Sequence, residues 1–348
     1  MSEVEKGRSY RFQRSVFALL GIALSACGLA YVFRDIIFGD VTIGEHFKEL
    51  IASTDRIEIF PLLGSIAVYW LCLIVLRSLL VRHLLKPVGD LRRAQAYRYI
   101  CIGFLANNVL PLRAGEVARS AAIHRGANLS FPSVVGSLAL ERMLDMALLA
   151  AIALAAIQVT PLPGSVRTAS IFLSVLLGIG FVALIILARR RRGDEQPKTG
   201  RGLGTRLRNI WIRFSAGFGA LKDTRGTLIA VGLSICIWGA ALATMMLRLE
   251  AFGLPSSLAW GLVLLTCIGF GVAVPSAPGY VGVYHAAIMF ALVEGFDVEP
   301  VIAVAFSWFS WLLDVGVSSV IGAVSLSIEG LKLGELKGVR PAETGSMD

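Results

Sequence analysis

The feature that most limits what this chain can become is a set of long segments without charge. Val16 to Phe33, Phe60 to Leu76, Thr168 to Ala188 and Thr227 to Leu247 contain no charged residue. Val301 to Ile328 holds only Asp314, while Pro132 to Gln158 holds Glu141, Arg142 and Asp145. A bilayer core about 30 Å thick needs roughly 20 residues of apolar helix to cross it. The composition agrees: 56% of residues are hydrophobic, 16% are charged and the mean hydropathy is +0.73. Soluble domains carry about 25% charged residues. In hydrocarbon the backbone must satisfy its own hydrogen bonds, and runs of this length do so as helices. The expected fold class is therefore an all-α polytopic membrane protein with six full crossings.

The first run follows a basic leader, but Cys27-Gly28-Leu29-Ala30 is a poor cleavage site and further spans follow, so it reads as a retained helix. The net charge of +9 resides in loops, with no basic helix carrying interleaved base-stacking aromatics, which argues against nucleic acid as a partner. The five cysteines all lie in apolar runs without CxxC spacing and read as packing residues.

Loop charge sets the expected topology, because basic loops stay cytoplasmic. The N-terminal tail is basic, the 34–59 loop acidic, the 82–98 stretch basic, the 160–167 loop nearly neutral, the 189–225 loop strongly basic and the 295–300 loop acidic. Two further apolar segments, 97–123 and 258–293, are interrupted by proline and glycine and fit re-entrant helical hairpins. Both termini then fall in the cytoplasm. The expected division is a first membrane repeat over residues 1–160, a second over 161–330 and a disordered cytoplasmic tail over 331–348.

The interruptions look alike. Val109-Leu110-Pro111-Leu112-Arg113-Ala114-Gly115-Glu116 and Ala273-Val274-Pro275-Ser276-Ala277-Pro278-Gly279-Tyr280 both place glycine four residues after proline. Pro132 and Pro300 each open the last helix of a half, with Asp145 and Asp314 a similar distance further on. Three crossings per half make the halves inverted, and paired broken segments of this kind point to a transporter binding site. Each half also holds an amphipathic stretch between its first two crossings. The one spanning Leu203 to Leu221 carries Arg206, Arg208 and Arg213 and reads as a connecting elbow or an interfacial helix on an anionic leaflet.

Ionisable residues at membrane depth are costly and so mark function by default. Glu141 and Asp145 share a helix face at i, i+4 and need a cation or a shared proton, with Arg142 turned about 100° away and reaching only partly. Arg113, Glu116 and Arg119 on the first hairpin are the expected partners. The set is either a structural ion-pair network or a site where an arginine meets a substrate phosphate. Asn107 and Asn108 are placed to satisfy carbonyls freed at the break. The second half offers Ser276, Tyr280, Tyr284, His285 and a nearly isolated Asp314. His285 and Asp314 read as a hydrogen-bonded pair or as proton carriers. Pro111, Gly115, Pro275, Pro278 and Gly279 are the expected hairpin breaks. No GxxxxGK[ST], GxSxG or HExxH occurs and the four histidines lack ligand spacing, so neither an enzyme nor a metal or other cofactor is expected.

At these motifs the chain resembles the lysylphosphatidylglycerol synthase transmembrane-region family, the flippase-like domain of multiple peptide resistance factor proteins. The resemblance rests on Asn107 to Glu116 with Arg119, on Glu141-Arg142-x-x-Asp145 and on Pro275-x-x-Pro278-Gly279-x-x-Gly282, and covers roughly residues 15 to 328. It implies a bacterial inner-membrane protein that moves a polar-headed lipid between leaflets: an anionic or aminoacylated phospholipid, a polyprenyl lipid or a hopanoid. It also implies that a chain without the soluble aminoacyl-transferase domain does not make lysyl-lipid. Tyr280 and His285 stand where members often carry glycine and an acid. An energy-independent scramblase, a small-solute carrier and a non-transporting partner of a lipid-modifying enzyme are the alternatives.

Overall fold

The computed structural model describes residues 20–34, 57–110, 114–160, 202–273 and 276–332, together with part of 168–186. The expected amphipathic stretch before residue 57, the break residues Pro111 and Pro275, the hairpin-tip Arg113 and the tail after 332 lie outside them. Every described element is helical and no strand occurs among the described residues.

Among the described residues four helices are long and apolar enough to cross a membrane: α2 (Ile59–Leu85), α5 (Phe131–Val159), α7 (Thr224–Ala251) and α10 (Pro300–Ile328). At 27 to 29 residues each reaches ~40 Å or more. Their outward side chains are large and apolar, such as Phe60, Leu228, Leu312 and Val320, which suits a hydrocarbon solvent rather than water. Asp223 caps α7, its carboxylate accepting the Gly226 N–H at 3.0 Å. Pro132 and Pro300 sit in the first turns of α5 and α10, where a missing N–H is harmless. A shorter apolar helix, α1 (Leu20–Val32), precedes these, and the described residues between 168 and 186 are also helical. Multiple spans of this kind make the chain a multi-pass membrane protein.

Between the spans lie two helical hairpins. In the first, α3 (Arg93–Val109) and α4 (Gly115–Ala127) run antiparallel. Gly103 abuts Arg119, Gly115 abuts Gly103 and Asn107, and Gly126 abuts Tyr99. A Cβ on Gly115 would lie 2.3 Å from the Gly103 carbonyl oxygen, so glycine is what allows the two backbones to meet. In the second, α8 (Leu258–Ala273) packs on α9 (Val283–Met289), joined through a 3-10 turn at Pro278–Tyr280. Gly279 and Tyr280 there take positive φ angles of 67° and 59°. The amphipathic helix α6 (Leu203–Ala216) ends in a further 3-10 turn, Gly219–Leu221.

The hairpins pack against spans distant in sequence. Helix α3 of the first hairpin packs on α10, and α8 of the second hairpin packs on α5. The helices α2 and α7 lie against each other and run in opposite directions. The Glu58 N–H donates to the Ala251 carbonyl at 2.8 Å near one end. At the other end the His83 ring meets the Gly226 carbonyl at 2.9 Å. Where the two hairpins approach, a Cβ on Gly279 would stand 3.7 Å from the Asn108 carbonyl oxygen, so their tips are neighbours.

One boundary differs from the sequence expectation and matters for the site. The uncharged run that stopped at Leu76 continues as helix through Leu85, with a π-helical segment at Val68–Ile74. The apolar pattern ends at Arg77, but nothing in the backbone does.

Candidate functional site

Six charged side chains from three helices converge on one cluster. Arg77 of α2 donates to Glu141 Oε1 at 2.8 Å and to Asp145 Oδ2 at 3.0 Å. A second, longer bond runs from its Nη2 to Asp145 Oδ1 at 3.4 Å. Arg119 of α4 donates to Glu141 Oε2 at 2.7 Å and to Glu116 Oε2 at 3.1 Å. Arg142 donates to Asp145 Oδ2 at 3.3 Å and to Glu116 Oε1. Among the described residues three arginines meet three carboxylates, so this part of the cluster is formally neutral. A buried carboxylate persists in apolar surroundings only when paired this way.

Local helix geometry explains the convergence. Glu141 and Asp145 are one turn apart on α5 and project together, which brings both under Arg77. Glu116 and Arg119 are i, i+3 on α4, so the hairpin delivers one acid and one base to the same place. Asn107 holds the hairpin closed at this level: its Oδ1 accepts the Gly115 N–H at 2.9 Å. Asn108 reaches across the bundle: its Nδ2 donates to the Val315 carbonyl at 3.3 Å and lies within bonding distance of the Ser318 and Ser319 hydroxyls. The carbonyls at residues 111–113, which both asparagines were expected to serve, lie outside the described residues.

Depth grades across the cluster. Glu141 is fully buried, Asp145 and Arg119 nearly so, while the side chains of Glu116 and Arg142 are 30% and 37% exposed. The partial reach expected of Arg142 is also corrected: its long side chain bridges Glu116 on α4 and Asp145 on its own helix. Two spaces border this outer pair. One is a polar cavity of about 10 Å³, lined by Arg77, Asn107, Glu116, Arg119 and Arg142 among others, with room for one water at most. The other is an open groove of about 450 Å³. Val117, Phe131, Val135, Leu138 and Ala139 form its apolar walls, and Glu116, Ser120 and Arg142 are its polar lining. Glu116 and Arg142 line both spaces. The Nε atoms of Arg77 and Arg119 are buried and take no hydrogen-bond partner among the described residues.

A smaller arginine–carboxylate pair lies between α7 and α10. Asp314 is not isolated: Arg248 of α7 donates to its Oδ2 at 3.1 Å and to its Oδ1 at 2.5 Å, and the Tyr284 hydroxyl donates to Oδ2 at 3.4 Å. The Arg248 guanidinium is buried and lies 5.8 Å from the centre of the Tyr69 ring. His285 does not pair with Asp314. Its Nδ1 accepts the Gly282 N–H at 3.4 Å, and its ring packs 4.0 Å from that of Trp308. Ser276 is buried, and its hydroxyl has no partner among the described residues. The Trp311 indole N–H donates to the Gly279 carbonyl at 2.7 Å, and the Ser25 hydroxyl accepts the Ala277 N–H at 2.9 Å, so α10 and α1 both hold the second hairpin's turn.

Sequence reasoning missed Arg77 and Arg248 for the same reason. Each is the residue at which an uncharged run, Phe60–Leu76 or Thr227–Leu247, came to its end. Each was counted as flank, although both lie inside helices.

A multi-pass helical membrane protein with two helical hairpins and buried arginine–carboxylate clusters is the class that fold and site define. The profile of the lysylphosphatidylglycerol synthase TM region matches residues 17–322. The chain belongs to that family. It is also similar to the glycosyltransferase AglD of Haloferax volcanii, at 26% identity over 360 aligned positions. That match takes in 91% of this chain and 55% of the relative, so the chain spans about half the length of AglD. No solved structure gives a significant match.

Proposed function

We propose that the protein carries a polar-headed lipid between the leaflets of a bacterial cytoplasmic membrane, with both termini in the cytoplasm. The observation that carries this reading is the shared position of Glu116 and Arg142. They line an open, apolar-walled groove of about 450 Å³ and, on their other side, the polar cluster. A headgroup seated at that pair with its tails in the groove avoids taking charge through hydrocarbon. Arg113, Arg119, Glu141 and Asp145 then complete the headgroup site. In the second half Ser276, Tyr280, Tyr284, His285 and Asp314 act at the opposite gate.

The neutral charge of the cluster bears on the cargo. A phosphate drawn to Arg142 competes with Glu116 and Asp145, which already hold that guanidinium. Anionic and aminoacylated phospholipids, polyprenyl lipids and hopanoids all remain within this reading.

Inverted repeats with re-entrant hairpins supply the mechanism we infer. Helices α3 and α8, of 17 and 16 residues, reach ~25 Å, short of a bilayer core. The exchanged packing, α3 on α10 and α8 on α5, supports two related halves. So does the antiparallel contact of α2 with α7. Rocking of such halves about a central site exposes it to each side in turn.

That AglD is named a glycosyltransferase favours a second reading, a non-transporting membrane partner that seats a lipid for a modifying enzyme. The test is leaflet-resolved lipid analysis of a deletion strain, complemented with wild type or Arg142→Ala at equal expression. Wild type restores lipid asymmetry and the variant does not. Equal restoration by both removes Arg142 from the reading, and unchanged asymmetry on deletion overturns it.

A further inference from the structure

Helix α6 presents an apolar face that is exposed among the described residues. Leu207, Ile210 and Trp211, at i, i+3 and i+4, are 58%, 45% and 53% exposed. Its charged residues are Arg206, Arg208 and Arg213, with no acid in the helix. Its 14 residues span ~21 Å and cannot cross a bilayer. An apolar stripe on a helix of one positive sign matches an anionic lipid surface: the stripe enters the acyl boundary and the arginines meet phosphates.

The C-terminal end of this helix is locked onto the helices that carry the cluster. A Cβ on Gly217 would lie 2.4 Å from the Ser137 nitrogen, and one on Gly136 would lie 2.0 Å from the Phe214 carbonyl oxygen. The backbones of α6 and α5 therefore touch without intervening side chains. The Ser137 hydroxyl, fully buried, has three carbonyl acceptors in reach: Gly217 at 3.2 Å, Ser133 on its own helix at 3.2 Å and Leu84 on α2 at 3.4 Å. Ser137 is one helical turn before Glu141, and Leu84 is two turns after Arg77.

We propose that α6 is a sensor of leaflet charge: it adsorbs to anionic lipid and, through Gly217 and Ser137, sets how α5 seats against α2. The inference rests on the proposed function only in treating the Arg77–Glu141–Asp145 cluster as the working site. The contact itself is independent of any transport.

The test is hydrogen–deuterium exchange of the full chain in nanodiscs of phosphatidylcholine alone and with 30% phosphatidylglycerol. Amides of 203–216 exchange at least fivefold more slowly in the anionic discs, and those of 131–137 slow with them. In Arg208→Gln/Arg213→Gln both responses are lost, and Arg208→Lys/Arg213→Lys restores them. In Ser137→Ala, which removes only a hydroxyl, 203–216 still responds and 131–137 does not. Equal protection of 203–216 in neutral and anionic discs overturns the sensor. A response of 203–216 without one at 131–137 in the wild-type protein overturns the coupling. Neither outcome bears on whether lipid is moved.

Discussion

Arg248 grips Asp314 through the same two bonds that Arg77 makes to Asp145: Nη1 to Oδ2 and Nη2 to Oδ1 in both pairs. The partners are 66 residues apart in one pair and 68 in the other. Each pair ties a long helix to a later one, α2 to α5 and α7 to α10. The first is enlarged by Glu116, Arg119, Glu141 and Arg142. The second is closed over by Tyr69 and Tyr284.

This difference predicts different costs. Removing one member of a buried pair leaves an uncompensated charge, which destabilises by about 3–5 kcal/mol. Arg77→Met leaves Glu141 and Asp145 with Arg119 and Arg142 alone, one buried negative charge in excess, and lowers the melting temperature in detergent markedly. Arg142→Gln, at a half-exposed position, costs about 1 kcal/mol or less. Thermal unfolding of the two variants side by side checks the order.

Arg248→Met alone is expected to behave like Arg77→Met. The double variant Arg248→Met/Asp314→Leu removes both charges and should recover most of the lost stability, since replacing a buried pair by apolar groups is often near neutral. A thermal melt of both variants reads the recovery. If the double variant remains as unstable as the single, the pair is not an isolated clamp.

Gly115→Ala places a methyl group against the Gly103 carbonyl and the Asn107 side chain. The two arms of the first hairpin must part, at a cost of about 1–3 kcal/mol. Gly239→Ala, where no atom lies within 4 Å, should be neutral or slightly stabilising. Comparing their melting temperatures checks the contact directly.

Hairpins that enter and leave by one face have both ends on that face. Single cysteines at Arg92 and Arg125 should react with an impermeant thiol reagent only from the cytoplasm. Those at Ser256 and Glu299 should react only from outside. Labelling of 92 and 125 from opposite sides, or of 256 and 299 from opposite sides, contradicts the re-entrant reading.

Much of the fold was legible because the bilayer makes hydrophobic run length decisive. The expected spans Pro132–Gln158 and Val301–Ile328 fall within α5 and α10, and the breaks in both short apolar segments separate pairs of helices. The acidic half of the first cluster was legible too, since Glu141 and Asp145 share a face by spacing alone. Two of its three cations were legible, Arg119 from the hairpin and Arg142 beside Glu141, whereas Arg77 only marks where a charge-free run ends. Run length locates where helix meets hydrocarbon, whereas the helix itself ends where capping and turn residues stop it. The isolation of Asp314 was misread for the same reason, because Arg248 closes the run before it. The His285–Asp314 pairing failed differently. Proximity in a sequence motif carries no information on rotation, and the His285 ring is turned to Trp308 instead.

The central claim is that a lipid headgroup passes by Glu116 and Arg142. Purified protein in proteoliposomes, assayed with fluorescent headgroup-labelled phospholipid and an impermeant quencher, tests it most directly. Wild type should move lipid between leaflets well above protein-free vesicles. Glu116→Gln/Arg142→Gln, shown to be folded by its melting curve, should move it at least tenfold more slowly. Movement by the variant at the wild-type rate would contradict the account, as would wild-type vesicles indistinguishable from empty ones.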